Sequence, residues 1–385
     1  EKNSRLGRKL RITGKGRCNI VNNCDVPTAI ASIPSNGRFL YSAISQFTPQ
    51  DAICFFENLG VPVKTERGNR VFPQSDLASD VVDALKSYCT QNGVQIRQAV
   101  VTDLRIQEQT VTGVRCEDGT EYFSKHVVIA CGGMSYPATG STGDGYRLAQ
   151  QAGHTITELR PSLVSLVANG KDCPALQGLS LKNVAIHVID TKQKKEIYDD
   201  FGEMMFTHYG VTGPMILSAS SHMRNMEPNR YQISIDLKPA LSLEQLDTRL
   251  QKDFAENQNK DFINSLGALL PRKLIPIMVA KSGIAPNQKC NQITKEQRRC
   301  FAQELKGFNV MIKGFRPIDE AIITSGGVSV KEISPKTMES KLVKGLYFAG
   351  EVIDADAYTG GFNLQIAFST GYLAATAIAQ AQWEI

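Results

Sequence analysis

The stretch from residue 345 to about 375 constrains this chain more than any other part of its sequence. Leu346 to Ala349 is a short apolar run typical of a buried strand, and it leads directly into Gly350-Glu351. The glycine-rich bend Tyr358-Thr-Gly-Gly361 follows, and a segment of small and apolar residues then predicts a helix. Because the first N–H groups of a helix have no partner within it, this order favours a site for a polar, electron-accepting ligand.

Three further glycine-rich bends lie earlier in the chain. Thr13 to Asn19 has the composition of a loop whose backbone approaches a ligand, although a plain turn is the commoner meaning of such a sequence. Cys131-Gly-Gly133 directly follows the β-branched run His126 to Ala130, at the edge where parallel sheets bind their ligands. Gly140 to Gly145 lacks the lysine of a P-loop, which argues against a P-loop nucleotidase.

The first residue has a candidate role in a dinucleotide-binding unit. In such a βαβ unit, an acidic residue binds ribose about 20 residues after the fingerprint G-x-G-x-x-G. Glu1 is that candidate, and its alternative is an ordinary surface residue. No such fingerprint occurs in the sequence, so we expect the first strand, phosphate loop and first helix of the unit to precede residue 1.

Composition places the chain among ordinary globular proteins. It has 385 residues, 42% hydrophobic and 21% charged, a length that predicts two or three domains. The net charge is +5 and the basic residues are spread along the chain, which argues against a dedicated nucleic-acid-binding protein. No apolar run is long enough to span a bilayer, and the first five residues are not a signal peptide. We expect a soluble, cytoplasmic protein without membrane association.

Cysteine and histidine spacing argues against a metal centre. The nine cysteines are scattered without a C-x-x-C pair, so neither a zinc ribbon nor a disulfide framework is indicated, and a reducing compartment fits best. The histidines show no ligand spacing. We therefore expect no metal site.

Capping residues mark two helices in the first hundred positions. Thr48, with Pro49 at the first helical position and Asp51 completing a capping-box-like pattern, predicts one of them. Ser75 or Asp76 is predicted to cap the other. Both helices are expected to be scaffold.

The strands that follow point to an α/β fold. Val94 to Ile96 predicts a strand, and residues 110–123 predict a hairpin that turns at Asp118-Gly119. His126 to Ala130 predicts a strand buried between helical layers. From about Arg160, short β-rich runs predict an inserted antiparallel barrel or sandwich, and helical periodicity between 242 and about 307 predicts a helical subdomain.

Six segments together resemble the HI0933-like (aminoacetone oxidase) family of flavoproteins, which also includes BaiN-like proteins. They occur in the family's order along the whole chain: Leu6-Gly-Arg-Lys9, Gly14-Lys-Gly-Arg-Cys-Asn19, Asn36-Gly-Arg-Phe-Leu40, Gly132 to Pro137 with Gly140 to Gly145, Phe206-Thr-His-Tyr-Gly210, and Gly350 to Asp354 with Tyr358 to Gly361. One position departs from the pattern, because Lys15 stands where the family commonly has glycine.

The resemblance implies a fold, a cofactor and an activity. The fold is α/β: a two-dinucleotide-binding, Rossmann-like FAD domain with an inserted β-barrel subdomain and a helical subdomain. We place the domain boundaries where the sequence pattern changes. The FAD domain is then residues 1–160 and 321–385, the barrel is 161–241 and 308–320, and the helical subdomain is 242–307. The implied activity is that of an FAD-dependent oxidoreductase.

The resemblance also implies which residues contact FAD. Glu1 would bind the adenosine ribose, and Gly350 with Glu351 would hold the ribityl chain. The full set is Glu1, Arg8, Lys9, Gly16, Arg17, Cys18, Asn19, Val101, Ala130, Cys131, Gly132, Gly350, Glu351, Gly361, Phe362 and Asn363. The helix after Gly361 would stabilise negative charge at the N1/O2 edge of reduced flavin through its dipole.

No side chain stands out as a catalyst, which flavin chemistry permits because the cofactor does most of the work. Tyr136 is a weak candidate for a proton donor, and a packing role is the stronger alternative. His208 is a weak candidate for substrate contact, with a loop-stabilising role of equal weight.

Several functions stay open at this level. The leading one is hydride transfer between FAD and a small organic substrate, with NAD(P)H or oxygen as the second redox partner. Within it, an amine oxidase that produces hydrogen peroxide and a reductase of an unsaturated ketone are not separated. A non-catalytic flavoprotein remnant is the alternative that the missing fingerprint supports. A tRNA-modifying flavoenzyme is disfavoured because no basic tract is apparent.

Overall fold

The computed structural model describes residues 1–383, and this part of the chain forms two compact units. The first unit, here the two-segment unit, is built from Glu1–Ser162 together with the chain from Pro317 onward. The second, the inserted unit, is Leu163–Arg316. Each has its own hydrophobic core.

Helices and short strands are interspersed along the two-segment unit, and six strands of the inserted unit form a closed β-barrel. The strands are β1 Val21–Asn22, β2 Val63–Glu66, β3 Arg70–Pro73, β4 Val101–Gln107, β5 Thr110–Cys116, β6 Glu121–Phe123, β7 Val127–Ile129, β8 Arg160–Ser162, β9 Leu166–Ala168, β10 Ser180–Asp190, β11 Lys195–Phe206, β12 Gly210–Thr212, β13 Tyr231–Asp236, β14 Phe308–Phe315, β15 Ile323–Ser325 and β16 Leu346–Phe348. The helices are α1 Arg8–Ile12, α2 Val26–Ala31, α3 Tyr41–Gln46, α4 Pro49–Asn58, α5 Ala78–Gln91, α6 Asp144–Gln151, α7 Asp172–Ala175, α8 Pro214–Ser220, α9 Leu243–Glu256, α10 Phe262–Ser265, α11 Ile275–Ser282, α12 Lys295–Lys306 and α13 Phe362–Trp383.

The parallel pair β7–β16 positions the candidate site. Leu346 lies opposite Val127 and Phe348 opposite Ile129, so both strands point the same way. Beyond their last paired residues, the Ala349 N–H donates to the Ile129 carbonyl at 3.1 Å. Because the carboxyl ends of parallel strands meet at one edge, the Gly132-Gly133 bend and the Gly350-Glu351 turn leave the sheet side by side. Both strands predicted from these apolar runs form, but the predicted burial holds only for β16, since Val128 in the middle of β7 is 41% exposed.

Antiparallel strands and helices surround this pair. Three strands form the sheet β1–β3–β2, three form β4–β5–β6, and β15 pairs with β8. The predicted hairpin of residues 110–123 is confirmed as β5 and β6. The helix α4 carries the predicted capping box, since the Thr48 side chain accepts from the Asp51 N–H and the Asp51 side chain accepts from the Thr48 N–H.

Two local predictions in this unit are wrong. Val94 to Ile96 forms no strand, and its apolar side chains are exposed rather than paired in a sheet. Neither Ser75 nor Asp76 caps α5, whose N-cap residue is Leu77 without a side-chain hydrogen bond. Asp76 is unavailable for capping because its carboxylate accepts from Arg17 at 2.8 Å and from Lys64 at 2.7 Å.

The inserted unit contains the predicted barrel. Six antiparallel strands close in the order β10-β11-β12-β9-β14-β13. Its core includes Phe206 and Phe308 from the barrel and Phe262 and Phe301 from the helices α10 and α12, all fully buried. The barrel and the helices therefore share one continuous core. The sequences Ser242-Leu-Glu-Gln245 and Thr294-Lys-Glu-Gln297 predict capping boxes, and both are confirmed at the starts of α9 and α12.

Within residues 1–383, none of the helices combines the length and apolar content that crossing a bilayer requires.

Candidate cofactor site

The Glu351 carboxylate is the centre of a polar network at the ends of β7 and β16. Its Oε1 atom accepts from the Thr324 N–H at 2.9 Å, the Ser135 hydroxyl at 3.1 Å and the Lys9 ammonium at 3.0 Å. Its Oε2 atom accepts from Lys9 alone at 2.6 Å among the described residues. Oε2 therefore retains the capacity to accept a ligand hydroxyl.

The Gly132-Gly133 bend has no room for a side chain at Gly133, because the Glu351 network packs directly against its backbone. A Cβ atom on Gly133 would lie 2.5 Å from Thr324 Oγ1 and 2.8 Å from Glu351 Oε1. The Thr324 hydroxyl also accepts from the N–H groups of Met134 at 2.8 Å and Ser135 at 3.2 Å. The strand β15, the bend and the Gly350-Glu351 turn are thus bound together by short polar contacts.

The bend before α13 also has no room for a side chain, at Gly361. Gly361 has φ 102°, and a Cβ atom on it would lie 2.3 Å from the Val21 carbonyl carbon. The Asn22 amide donates to the Gly360 carbonyl at 3.1 Å and so fixes the bend against β1. The first bond of α13 runs from the Gln365 N–H to the Gly361 carbonyl at 3.1 Å, which leaves the N–H groups of the first turn for a ligand.

The Asn363 side chain is occupied within the protein. Its Oδ1 atom accepts from the Ala357 N–H at 2.9 Å, and its Nδ2 atom donates to the Ala357 and Tyr358 carbonyls at 2.9 and 3.3 Å. The predicted cofactor contact of Asn363 is therefore expected through its backbone in the first helical turn, because its side chain binds the bend.

The loop from residue 13 to residue 19 presents an unpaired acceptor. The Asn19 Oδ1 atom is shielded from solvent and has no hydrogen-bond partner among the described residues. A buried acceptor without a donor is costly, so it indicates a missing partner. Gly14, Lys15 and Gly16 have φ values of 57°, 60° and 83°, which explains why the family pattern has glycine at the position of Lys15.

Cys18 and Tyr146 are electrically neutral parts of the site. Burial raises the pKa of the Cys18 thiol to about 11, so this cysteine is a packing residue and not a thiolate nucleophile. Burial first, and then the negative charge of Glu351, raise the pKa of the Tyr146 hydroxyl. Tyr146 is therefore protonated at neutral pH.

Glu1 and Arg8 meet at a second place, next to the Gly140 bend. Both side chains bind Asn3, with Glu1 Oε1 accepting from the Asn3 amide at 2.9 Å and Arg8 donating to Asn3 Oδ1 at 3.1 Å. Asn3 in turn donates to the Thr139 carbonyl at 3.0 Å. The structure therefore joins these two predicted contacts to the bend that precedes α6.

Arg17 is directed into an ion-pair cluster. Its guanidinium contacts Glu66 at 2.5 Å and Asp76 at 2.5 Å, and it lies over the Phe72 ring at 4.2 Å. The hydrogen bonds from Lys64 and then Arg17 hold the pKa of Asp76 below its usual range. The charge of Arg17 is therefore paired with carboxylates of the protein itself.

The remaining predicted contacts are Val101 and the segment from Ala130 to Gly132. The Val101 carbonyl, at the start of β4, accepts from Arg147 of α6 at 3.2 Å. Ala130 and Cys131 are exposed after β7, and Gly132 has φ 74°.

The two weak catalytic candidates lie in different units. Tyr136 follows Ser135 in the two-segment unit, has φ 53° and is 37% exposed. His208 is exposed in the inserted unit, where its ring meets the Tyr209 ring edge-on at 4.9 Å. Within residues 1–383, no group of three or more His, Cys, Asp and Glu side chains is placed to hold a metal ion.

Three polar residues of this site were missed in the sequence. Ser135, Thr324 and Asn22 lie in segments far apart in the chain, and single serines, threonines and asparagines carry no pattern of their own. The only available signal was position, because Ser135 follows the Gly132-Gly133 bend and Thr324 precedes Gly326-Gly327.

Comparison with known proteins identifies the group to which this architecture belongs. Residues 1–377 match the HI0933-like protein Rossmann domain. The chain belongs to the HI0933-like family. This confirms the family, the fold class and the enzyme class, an FAD-dependent oxidoreductase, that the sequence predicted.

Three relatives are similar over nearly their whole length. A 3-dehydro-bile acid delta(4,6)-reductase of Clostridium scindens is 29% identical over 99% of this chain and 92% of its own. A ribosomal RNA dihydrouridine synthase of Haemophilus influenzae is 31% identical over 98% of this chain and 90% of its own. A ribosomal RNA dihydrouridine synthase of Escherichia coli is 30% identical over 96% of this chain and 88% of its own.

Proposed function

We propose that this protein is an FAD-dependent reductase that saturates a carbon–carbon double bond conjugated to a carbonyl group. The names of the relatives support this chemistry, although they differ in substrate. A 3-dehydro-bile acid with double bonds at positions 4 and 6 is a conjugated ketone, and dihydrouridine is uridine whose ring double bond, conjugated to a carbonyl, is saturated. The shared feature is an electron-poor alkene, which accepts hydride at the carbon β to the carbonyl and a proton from solvent at the α carbon.

The observation that carries the proposal is the set of unfilled acceptors and bare backbone at one sheet edge. Glu351 Oε2 retains an open acceptor position, and the glycine bends bring backbone close to it. Asn19 Oδ1 is a second acceptor without a partner among the described residues, at a loop that we expect from the family resemblance to line the flavin. Ribityl hydroxyls and the flavin N3–H are donors of the kind these acceptors need, so the residues fit FAD.

The chain's own residues would bind and orient the cofactor. Bound FAD supplies the hydride-carrying chemistry. Glu351 would hold the ribityl chain, with Lys9 and Ser135 fixing the carboxylate, and the first turn of α13 would face the pyrimidine edge. The positive end of that helix stabilises negative charge there. Glu1 and Arg8 would lie on the adenosine side, near the Gly140 bend.

We further propose NAD(P)H as the electron donor. A reductase needs a source of hydride, and a nicotinamide supplies it without a catalytic acid on the protein. The amine oxidase alternative uses oxygen instead and releases hydrogen peroxide, so the two functions differ in what reduces the bound flavin.

An anaerobic reduction experiment with the full-length protein tests this proposal. FAD is added, and bleaching of the flavin absorption is followed after addition of NADPH, NADH or a panel of primary amines. The proposal predicts bleaching by a nicotinamide, followed by reoxidation when a 3-oxo-4,6-diene steroid or a uridine-containing RNA is added. Bleaching by amines alone, with peroxide formed in air, would assign an oxidase, and no flavin binding would assign a non-catalytic remnant.

A matched pair of variants connects the activity to the site. Glu351→Gln removes the charge that Lys9 and Ser135 orient, and we expect it to weaken FAD binding by about tenfold, the effect of one charge-assisted hydrogen bond. Glu57→Gln makes the same change on the exposed face of α4. FAD binding by this control should equal that of the unmodified protein.

A further inference from the structure

A buried histidine connects the end of α6 to the segment that precedes β16. The side chain of His154, which follows α6, is fully buried, and its ring meets the Phe348 ring of β16 edge-on at 4.8 Å. Its Nε2 atom lies 2.7 Å from Ser340 Oγ, and its Nδ1 atom lies 3.2 Å from Glu332 Oε2. Both partners belong to residues 332–343, here the latch segment. The ring is thus held between two polar side chains of one segment.

The hydrogen bonds of Ser340 determine where the ring hydrogen of His154 lies. Ser340 Oγ accepts from the N–H groups of Leu342 at 3.0 Å and Val343 at 2.9 Å, which occupies both lone pairs of the oxygen. Its hydroxyl hydrogen is left to donate to His154 Nε2. Nε2 is therefore an acceptor, and the neutral ring carries its hydrogen on Nδ1, on the side of Glu332.

A second proton on His154 has no place in this arrangement. An N–H on Nε2 would face an oxygen whose lone pairs are both occupied and whose own hydrogen points back at the ring. Glu332 compensates little, because its contact with Nδ1 lacks the alignment of a hydrogen bond and its carboxylate already accepts from the N–H and the hydroxyl of Thr155, each at 2.8 Å. Burial lowers the pKa of His154, and the opposing charge of Glu332 is the weaker influence.

Other charged and titratable groups of the elements around His154 have different partners or point away. Their contacts are Glu339 Oε1 with the Gly345 N–H at 2.8 Å, Lys341 Nζ with the Lys331 carbonyl at 2.8 Å, and Arg147 of α6 with the Val101 carbonyl at 3.2 Å. Lys331 and Lys336 are exposed to solvent. The side chain of Tyr347 leaves β16 on the face opposite to Phe348. Among residues 1–383, Glu332 is therefore the charged group that faces His154.

The order Ser–His–Glu is that of a nucleophilic triad, but the geometry here supports a holding role. Ser340 is only 7% exposed, and the lone pairs of its oxygen are occupied by two backbone N–H groups, so the oxygen is not available to attack a substrate carbonyl. The three side chains instead connect the end of α6 to the latch segment through contacts that require a neutral ring.

The latch segment also supports the strand that carries the cofactor turn. β16 pairs with β7 along one edge. Along its other edge, the Phe348 N–H donates to the Met338 carbonyl at 3.0 Å, and the Leu346 carbonyl accepts from the Ser340 N–H at 2.7 Å. Gly350-Glu351 follows β16 directly. Release of the latch segment would remove the hydrogen-bond partners of this second edge.

We propose that Glu332, His154 and Ser340 form a proton-sensitive latch, which holds residues 332–343 against β16 while His154 is neutral and lets FAD dissociate when His154 gains a proton. This inference rests on the proposed function only for the identity of the released ligand. In a locally open form, the solvated ring would take up a proton near its ordinary pKa of about 6.5. The population of the open form should therefore rise about tenfold between about pH 7.5 and pH 5.5.

Native-state hydrogen exchange of the full-length protein tests the latch without reference to FAD. The N–H groups of Leu342 and Val343, which donate to Ser340, report its opening directly. After correction for the intrinsic exchange rate, their protection should fall about tenfold between about pH 7.5 and pH 5.5. In His154→Gln, which has no titrating ring, their protection should not depend on pH. Protection that is independent of pH in the unmodified protein would overturn the proposal, whether or not the variant folds.

His187 provides a matched control. It forms the same kind of pair, with Nδ1 3.1 Å from Glu196 Oε2, but the two side chains are 43% and 49% exposed. His187→Gln should therefore keep the pH dependence of the unmodified protein at Leu342 and Val343. Loss of that dependence in His187→Gln would show that it does not come from His154 and would overturn the proposal.

The rate of FAD dissociation connects the latch to the cofactor. The FAD-loaded protein is diluted, and the recovery of flavin fluorescence is followed at each pH. The rate should rise about tenfold between about pH 7.5 and pH 5.5 in the unmodified protein and in His187→Gln, but not in His154→Gln. A rate independent of pH in the unmodified protein would overturn the proposed release of FAD. Failure of nicotinamides to reduce the bound flavin would defeat the proposed function and leave these exchange and dissociation results unchanged.

Discussion

The glycine bend before α13 allows one stability prediction to be worked out from the structure. At Gly361 the backbone has φ 102°, and an added Cβ atom would lie 2.3 Å from the Val21 carbonyl carbon and 2.6 Å from its oxygen. Gly371 lies within the same helix, and a Cβ atom added there meets nothing within 4 Å. The same substitution, glycine to alanine, therefore has opposite physical consequences ten residues apart.

The expected magnitudes follow from these contacts. Gly361→Ala carries a backbone strain of about 1–3 kcal/mol, and the displacement of β1 costs about 1–3 kcal/mol more. We expect it to lower the free energy of unfolding by about 2–6 kcal/mol, a large part of the 5–15 kcal/mol that is typical of a domain. Gly371→Ala should raise the free energy of unfolding by about 0.5–1 kcal/mol, because alanine has the higher helix propensity.

Urea unfolding followed by circular dichroism measures both effects in the same protein. FAD affinity is measured in parallel, and we expect it to fall only in Gly361→Ala because only that variant moves the bend. A Gly361→Ala variant within about 0.5 kcal/mol of the unmodified protein would refute the close approach of β1 to the bend. Destabilisation by Gly371→Ala would refute the open helical position.

Three other predictions concern charge and conformation. Lys9→Met and Glu351→Gln should show a coupling free energy of about 1–2 kcal/mol in a double-mutant cycle measured by urea unfolding, since both side chains are only about one-fifth exposed; additive effects would contradict the pairing. Burial lowers the pKa of His154 although Glu332 opposes the shift, so the contribution of neutral His154 to the free energy of unfolding is present above about pH 6.5 and is lost as the pH falls. Between pH 8 and pH 5, the free energy of unfolding should therefore fall less steeply in His154→Gln than in the unmodified protein. Lys15→Gly should raise the melting temperature because it relieves a left-handed residue at φ 60°, and a lower value would contradict this.

Local sequence signals predicted those elements whose stabilising contacts are local. The capping boxes at Thr48, Ser242 and Thr294 each need only residues three positions apart, and all three form. The cap expected at Asp76 fails because Arg17 and Lys64, distant in sequence, bind its carboxylate first. A single sequence shows which residues are able to cap a helix, but it does not show which tertiary partners compete for them.

The candidate site follows the same division. The strand, glycine turn and helix around Glu351 were predicted from adjacent residues, whereas the partners of Glu351 come from three distant segments. Lys9 was expected near the cofactor only through the family resemblance, and Ser135 and Thr324 were not expected at all. Similarly, Gly361 was expected to contact a ligand, yet the structure gives it a second reason to be glycine, its approach to Val21.

Charge was misjudged for a different reason. A net charge of +5 over 385 residues is unremarkable, but residues 260–316 carry eleven Lys and Arg against three Asp and Glu, a net charge of +8, and the rest of the chain carries −3. Counting the charge of residues 260–316 separately reveals this excess, which counting over the whole chain conceals.

The most direct test of the account is a titration of the full-length protein with FAD, followed by flavin absorption and fluorescence quenching, in parallel with Glu351→Ala. The account predicts saturable binding of one FAD per chain by the unmodified protein, and binding weaker by about tenfold or more in the folded Glu351→Ala variant. Equal FAD affinity in the two proteins, or no saturable binding by the unmodified protein, would contradict the assignment of the Glu351 edge as the flavin site.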